Sequence, residues 1–395
     1  MLRCKLHIKI KIYRMDKKYD IVLFGATGFT GKLIAAYLDK NVSSHSATWA
    51  IAGRSLEKLQ DLQNVLATKP DIIMADAGNR DSIYQMAALA RILMNAAGPF
   101  NWYGKIVVEA CVDSQTHYLD ITGEPAFVAD IFASLDKKAV QAKSCVVNCC
   151  GFDSIPADIT VFKAMQLLPP DEPKAVWGFV QTNATFSGGT ITTAINALHR
   201  QVKEKSRIPS LPKHPDSPKI SRMIHLNRDV SAWAVPMPVV DPHIVKRSAY
   251  KMPEIYGAAF TYAQFFLRST FMKVVKMVTP IVVAMVLVRF KAFRNYMFKK
   301  FAPGTGPDQE RRSRSVFRFT CVARTRSKAV KVIMSGGDPG YDETAKMFSE
   351  SAFTVLNKDK VGKLTYGVQT PAEALGNDLV TSLLQKGIRI ESQSI

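Results

Sequence analysis

Short apolar strands alternate with helices over the first 150 residues, a glycine-spaced turn follows the first strand, and the alternation changes character near residue 175. These observations predict an α/β chain: a doubly wound Rossmann domain and then a second domain of mixed α+β type. The bounds read as 16–175 for the first domain and 176–370 for the second, a substrate or dimerisation domain that includes an apolar, basic segment at 256–300. A final helix and strand at 371–395 can return to the first domain.

Residues 20–24 are a short apolar strand, followed by Gly25-Ala26-Thr27-Gly28-Phe29-Thr30-Gly31 and by helical spacing over 32–38. A second strand at 48–52 precedes a helix that Ser55 can cap. The alternation continues with strands at 71–75, 91–95, 117–121 and 145–149, and with helices at 81–89, 105–111 and 126–143. The polar segment 151–158 then opens a further helix. Beyond it, 176–185 has the period of a sheet strand, Ser187-Gly188-Gly189-Thr190 precedes a helix through Ala197, and 201–221 is a loop rich in Lys, Pro and Ser. Segments 316–324 and 329–334 read as a hairpin or adjacent strands, 336–340 as a turn, 342–356 as a long helix, 372–384 as the last helix and 388–390 as a strand.

The spacing of Gly25, Gly28 and Gly31 between a strand and a helix suits a dinucleotide. It permits a tight turn, close approach of backbone to pyrophosphate, and close helix–strand packing. Thr27, Phe29 and Thr30 complete that turn, whose N–H groups open a helix and favour an anion. The second strand ends in Gly53-Arg54-Ser55, where an NAD site would carry an acid for the ribose. The Arg54 guanidinium can pair with a 2′-phosphate and Ser55 can add a hydroxyl, so NADP(H) is expected over NAD(H). Asp76 ends the third strand, either near the adenine edge or as a plain loop acid. Ala97, Gly98 and Pro99 follow the fourth strand, where small residues let the chain pass close to the nicotinamide ribose.

Candidates for proton transfer are Tyr103, Asp120 and Asp153, with His117, Tyr118 and Glu124 beside them. Each has a structural alternative. Asp153 or Ser154 can cap a helix, Glu124 can start one before Pro125, and His117 can be a half-buried structural histidine. No Tyr-x-x-x-Lys arrangement stands at an obvious position, but hydride transfer asks the protein mainly for placement and electrostatics. The six cysteines have the spacing of neither a zinc site nor a disulfide framework, so no metal is expected.

Charge is uneven. Residues 1–170 hold 19 Lys/Arg against 16 Asp/Glu, and the remainder 34 against 17, so most of the net +20 lies late in the chain. A basic surface attracts phosphates, anionic lipids or nucleic acid, and no nucleic-acid motif is present. Residues 277–288 are uncharged, but Pro280 interrupts them and a span needs roughly 20 apolar residues. Lys and Arg mixed with Phe, Met and Tyr through Phe298-Lys299-Lys300-Phe301 suit an interfacial segment. A buried or dimer-forming helix is the alternative. The expected location is cytoplasmic, peripheral to a membrane or lipid surface, with a homodimer through the second domain. Residues 1–15 are basic and lack a signal-peptide core; they read as an upstream extension outside the true start, since Met15 serves equally well, with an edge strand or a weak targeting signal as the alternatives.

Taken together, Gly25–Gly31, Ala52-Gly53-Arg54-Ser55, Asn95-Ala96-Ala97-Gly98-Pro99-Phe100, Tyr118-Leu119-Asp120-Ile121-Thr122-Gly123-Glu124 and Gly151-Phe152-Asp153-Ser154-Ile155-Pro156-Ala157-Asp158 resemble the saccharopine dehydrogenase-like oxidoreductase family, which includes mycobacterial trans-acting enoyl reductases. The late elements Gly340-Tyr341 and Thr370-Pro371-Ala372 resemble it too. The resemblance implies a Rossmann domain with an inserted α+β domain, lipid-droplet or membrane association in some members, and reduction of an enoyl group on a lipid intermediate. It carries no catalytic residue onto a position here. The function expected is NADP(H)-dependent hydride transfer to or from a carbonyl, imine or enoyl group of a small-molecule or lipid-like substrate. The alternative is a non-catalytic NADP-binding protein that docks on lipid surfaces or partner proteins.

Overall fold

The computed structural model describes residues 17–184, 211–212, 214–237, 239–300 and 307–395. The segment 1–15, the helix expected at 187–197, the loop at 201–210 and the side chains of 298–301 lie outside the described residues.

The first unit runs β1 (Tyr19–Phe24), α1 (Phe29–Asn41), β2 (Trp49–Gly53), α2 (Leu56–Val65), β3 (Asp71–Met74), α3 (Arg80–Leu89), β4 (Ala90–Asn95), α4 (Phe100–Asp113), β5 (His117–Asp120), α5 (Pro125–Gln141), β6 (Cys145–Val147) and α6 (Ile155–Met165). Its inner strands β1, β2 and β4 are mostly apolar and buried, as a sheet covered on both faces requires. The order is β13-β6-β5-β4-β1-β2-β3, all parallel, with β13 (Gly367–Gln369) added from late in the chain. Strand order reverses between β1 and β4, so the crevice for a ligand lies beyond the carboxyl ends there.

A second sheet has the order β14-β12-β11-β7-β10-β9-β8. It comprises β7 (Lys174–Thr182), β8 (His225–Asn227), β9 (Ala232–Pro236), β10 (Phe260–Arg268), β11 (Phe317–Arg324), β12 (Ala329–Gly336) and β14 (Arg389–Ser394). Only β7 and β10 pair in parallel; β11 and β12 form the expected antiparallel hairpin. Between the strands lie α7 (Asp241–Lys251), the one-turn α8 (Pro253–Tyr256), α9 (Phe271–Leu287), α10 (Lys291–Lys300), α11 (Gln309–Ser313), α12 (Asp342–Lys360) and α13 (Pro371–Gln385).

Helix α6 joins the two sheets. Ten of its eleven residues are buried, consistent with a helix that is apolar on nearly every side. One core runs through it, from Leu23 and Ile51 under the first sheet to Phe319 and Val332 of the second. The return to the first sheet comes one element before the final helix, through β13. Helix α13 packs on α6 and α12, and β14 forms an edge of the second sheet.

Candidate functional site

The glycine turn is shaped by contacts that only hydrogen side chains permit. Gly25 has φ +82°, and a Cβ there would lie 2.8 Å from the Ala97 nitrogen. A Cβ on Gly31 would lie 2.1 Å from the Gly25 carbonyl oxygen, so α1 begins hard against its own turn. Gly28 is the N-cap of α1 and offers no capping side chain. The N–H groups of Thr27, Phe29 and Thr30 therefore find no acceptor among the described residues. Uncapped donors and the positive end of a helix form a cradle for a phosphate group.

Arg54 stands exposed beyond β2, with no hydrogen bond or ion pair among the described residues. Ser55 is partly turned to local work: its Oγ accepts from the Lys58 N–H at 3.5 Å. Asp76 is exposed, and its Oδ1 accepts from the Gly78 N–H at 2.9 Å, which stabilises the turn after β3.

The loop after β4 is fixed by its neighbours. The Ala96 N–H donates to the Phe24 carbonyl at 2.9 Å, and the Ala97 N–H to Asn95 Oδ1 at 2.9 Å. Gly98 is exposed and Ala97 and Pro99 are half-buried, leaving a small-residue wall beside the glycine turn. Helix α4 starts at Phe100, five residues before the sequence spacing suggests, because Glu124 supplies a cap from across the crevice. Its carboxylate accepts from the N–H groups of Phe100 at 2.9 Å and Asn101 at 3.0 Å, and from the Asn101 side-chain amide. Glu124 thus serves the start of α4 through its side chain, although it precedes α5 in sequence.

The proton-transfer candidates separate by exposure. Asp120 is fully buried. It accepts from the Thr122 N–H at 3.1 Å, the Cys149 N–H at 2.9 Å and the Asn148 amide at 2.6 Å, so it ties the β5 end to the β6 end. Burial pushes its carboxyl up to about 6, against those hydrogen bonds. Tyr118 is buried and accepts from the Asn95 amide at 3.0 Å. His117 is fully rather than half-buried; its Nδ1 accepts from the Cys145 N–H at 3.1 Å, and Nε2 faces Asp359 at 3.5 Å. Tyr103 is 42% exposed on the first turn of α4, edge-on to Trp102. Asp153 is open to solvent yet ringed by protein, and that enclosure raises its carboxyl above the ordinary aspartate range. Neither Asp153 nor Ser154 caps α6 through its side chain.

The second sheet's side of the crevice supplies Asp241, Gln264 and Arg312, which sequence reasoning missed, and Tyr341, which it noted only as part of the family resemblance. Asp241 of α7 and Gln264 of β10 lie behind Asp153 and Ser154. Arg312 of α11 stands 5.9 Å from the Phe29 ring centroid and pairs with Asp342. Tyr341 meets Phe29 edge-on at 4.9 Å. A basic residue and an aromatic at a domain boundary carry no spacing signal, so only the fold brings them to the glycine turn.

Residues 21–147 match the family described as the saccharopine dehydrogenase NADP binding domain. The chain is an oxidoreductase similar to the saccharopine dehydrogenase-like family. Its first domain binds NADP(H). Over its length this oxidoreductase is 28% identical to the trans-acting enoyl reductase of Mycobacterium leprae, covering 95% of this chain and 97% of that one. It is 26% identical to a lipid droplet localized protein of Caenorhabditis elegans, covering 95% and 99%. The apo structure of saccharopine dehydrogenase (L-Glu forming) from Saccharomyces cerevisiae superposes with a TM-score of 0.59 at 13% identity, over 95% of this chain and all of that one; it shares the two-domain fold. Among the described residues, no three His, Cys, Asp or Glu side chains gather as metal ligands.

Proposed function

We propose that this oxidoreductase passes hydride from NADPH to the C=C or C=O group of an acyl chain presented at a lipid surface. The carrying observation is the uncapped glycine turn beside the exposed Arg54, at the reversal of strand order. These donors suit the pyrophosphate, and the guanidinium suits the 2′-phosphate. The bound nicotinamide supplies the hydride. The small residues Ala97–Pro99 would border the nicotinamide half of the dinucleotide.

The acyl substrate and the lipid surface rest on two further observations. A reductase named for an enoyl group and a protein named for lipid droplets both align with 95% of this chain. In addition, α9 has no charge after Lys276 and yet is exposed: Phe271, Met272, Ile281, Val282, Val283, Met285 and Val286 are each 43% exposed or more, and only Val274 is buried. Lys273, Lys276 and Arg289 flank this surface. No described helix is long and apolar enough to cross a membrane, so α9 suits insertion into one face.

The test is NADPH oxidation with a long-chain trans-2-enoyl thioester, with and without anionic phosphatidylserine vesicles. The expected result is turnover that rises with vesicles and that NADH supports poorly. Bound NADPH with no oxidation over a panel of enoyl and carbonyl thioesters would contradict the acyl reading.

A further inference from the structure

We propose that Asp153 donates the proton that completes hydride transfer, and that Asp241, from the second domain, is the residue that positions it. The proposal rests on the NADPH-dependent reduction described above.

Four aspartates stand near the carboxyl ends of β5 and β6, and three are buried: Asp120, Asp158 and Asp241. Asp120 is held by donors of its own loops, and Asp158 by Ser248 and the Ala372 N–H. Asp153 alone reaches open space. Its side chain has no hydrogen bond or ion pair among the described residues. It lies against Gly123, where an added Cβ would come 2.6 Å from Oδ2, so the glycine after β5 makes room for it. This location, in the crevice past β5 and β6, is where the nicotinamide half of a dinucleotide lies when its pyrophosphate occupies the turn after β1.

Asp241 stands directly behind. Its Oδ2 accepts from the Gln264 amide, and Gln264 Oε1 accepts from the Tyr262 hydroxyl at 2.7 Å, which fixes the orientation of that amide. Gly178 leaves the space that Tyr262 needs, since a Cβ there would lie 2.2 Å from the hydroxyl oxygen. Ser154 has one proton, and its 2.5 Å bond to the Asp153 carbonyl claims it. The remaining 3.5 Å approach, drawn with Ser154 Oγ donating to Asp241 Oδ1, is long, and a proton on Asp241 lets the carboxyl donate to Ser154 Oγ there instead. The groups acting on Asp241 reinforce this: Asp153 is acidic, Tyr262 and Cys149 are neutral, and burial raises the Asp241 carboxyl well above the ordinary range. A neutral acid behind the loop holds Asp153 in place without repelling its carboxylate after the proton has left.

The step balances. Hydride leaves C4 of NADPH and bonds to the β-carbon of the enoyl group. The π pair moves toward the thioester carbonyl, and the α-carbon takes the proton as the Asp153 O–H bond breaks. A proton from bulk solvent then restores the Asp153 carboxyl, and NADP⁺ leaves, so each turnover consumes one NADPH and one solvent proton. With a carbonyl substrate, the oxygen takes the proton instead.

The experiment uses the full chain with NADPH and the N-acetylcysteamine thioester of a trans-2-enoic acid, comparing Asp153→Asn, Asp241→Asn and Asp241→Ala. Asp153→Asn should bind NADPH as the wild type does and lose about 100-fold or more in turnover. Its residual rate should also lack the wild type's fall as pH rises. Asp241→Ala should lose turnover, and Asp241→Asn should restore it, because an amide can accept from Gln264 and donate to Ser154. Undiminished turnover in Asp153→Asn, or equal damage in both Asp241 variants, overturns the proposal. Wild type that binds NADPH but ignores the thioester counts against the substrate reading alone. Infrared difference spectra of the NADPH complex, wild type minus Asp241→Asn, then decide: a protonated-carboxyl C=O band belonging to Asp241, beside the one that Asp158 contributes to both proteins, should persist at neutral pH. In the difference between wild type and Asp153→Asn, where the bands of Asp120 and Asp158 cancel, a second such band should appear on acidification before the exposed aspartates protonate. If both bands titrate with those exposed aspartates, the pairing is wrong.

Discussion

At the residue scale, the crevice depends on a few atoms that cannot be replaced. Gly31→Ala places a methyl carbon 2.1 Å from a backbone oxygen, and no flexible side chain is there to yield. The variant should lose about 2 kcal/mol or more of stability, with NADPH affinity falling alongside, measured by denaturant titration and calorimetry. Asp158 makes a second prediction. It is fully buried between α6, α7 and α13, accepting from Ser248 at 2.6 Å and from the Ala372 N–H at 2.8 Å, and burial raises its carboxyl to about 7. The ordinary value is 3.8. Between these values the folded state holds a proton that the unfolded state has released. Stability attributable to Asp158 is therefore full below the lower value, falls as pH rises, and is gone above the upper one. That loss amounts to roughly 4 kcal/mol. Asp158→Asn should flatten the decline in unfolding free energy between acid and neutral pH, and an unchanged slope would show that another group is responsible.

At the element scale, the first sheet was legible because its strands are short, apolar and separated by turn residues. The glycine turn was legible because its spacing is a steric demand, which the 2.1 Å and 2.8 Å approaches express. Tertiary contacts decided what was less clear. Helix α4 gained a turn from a cap in another loop, which spacing along α4 itself does not encode. Strand β13 is three residues long, too short for a period to register, and enters the sheet by pairing with β6. Asp241 reads in sequence as an ordinary first-turn acid before Pro242; its place behind Asp153 comes from the packing of α7 on α6. Helix α9 was noticed for its apolar run, but its exposure follows from the fold. Replacing Ile281, Val282, Val283 and Val286 together by Ser should reduce binding to phosphatidylserine vesicles at least about tenfold, since each loses apolar contact with lipid. The melting temperature should hardly move, because none of the four is buried. A large drop in melting temperature would place α9 in a protein interface instead.

At the scale of the whole molecule, the two sheets share one core through α6. The chain should therefore unfold in a single calorimetric transition that NADPH raises as a unit. Two separated transitions, with only one responding to NADPH, would mean that the domains are energetically independent. The same continuity lets the second domain contribute Asp241 and Arg312 to a crevice built by the first. Everything in the functional account requires a 2′-phosphorylated dinucleotide in that crevice. Titration calorimetry with NADPH and NADH, on the wild type and on Arg54→Ala, tests this most directly. The wild type should bind NADPH the more tightly, and the variant should lose about 10–100-fold for NADPH with little change for NADH. Equal affinity for the two nucleotides in the wild type, or heat from neither, would contradict the account.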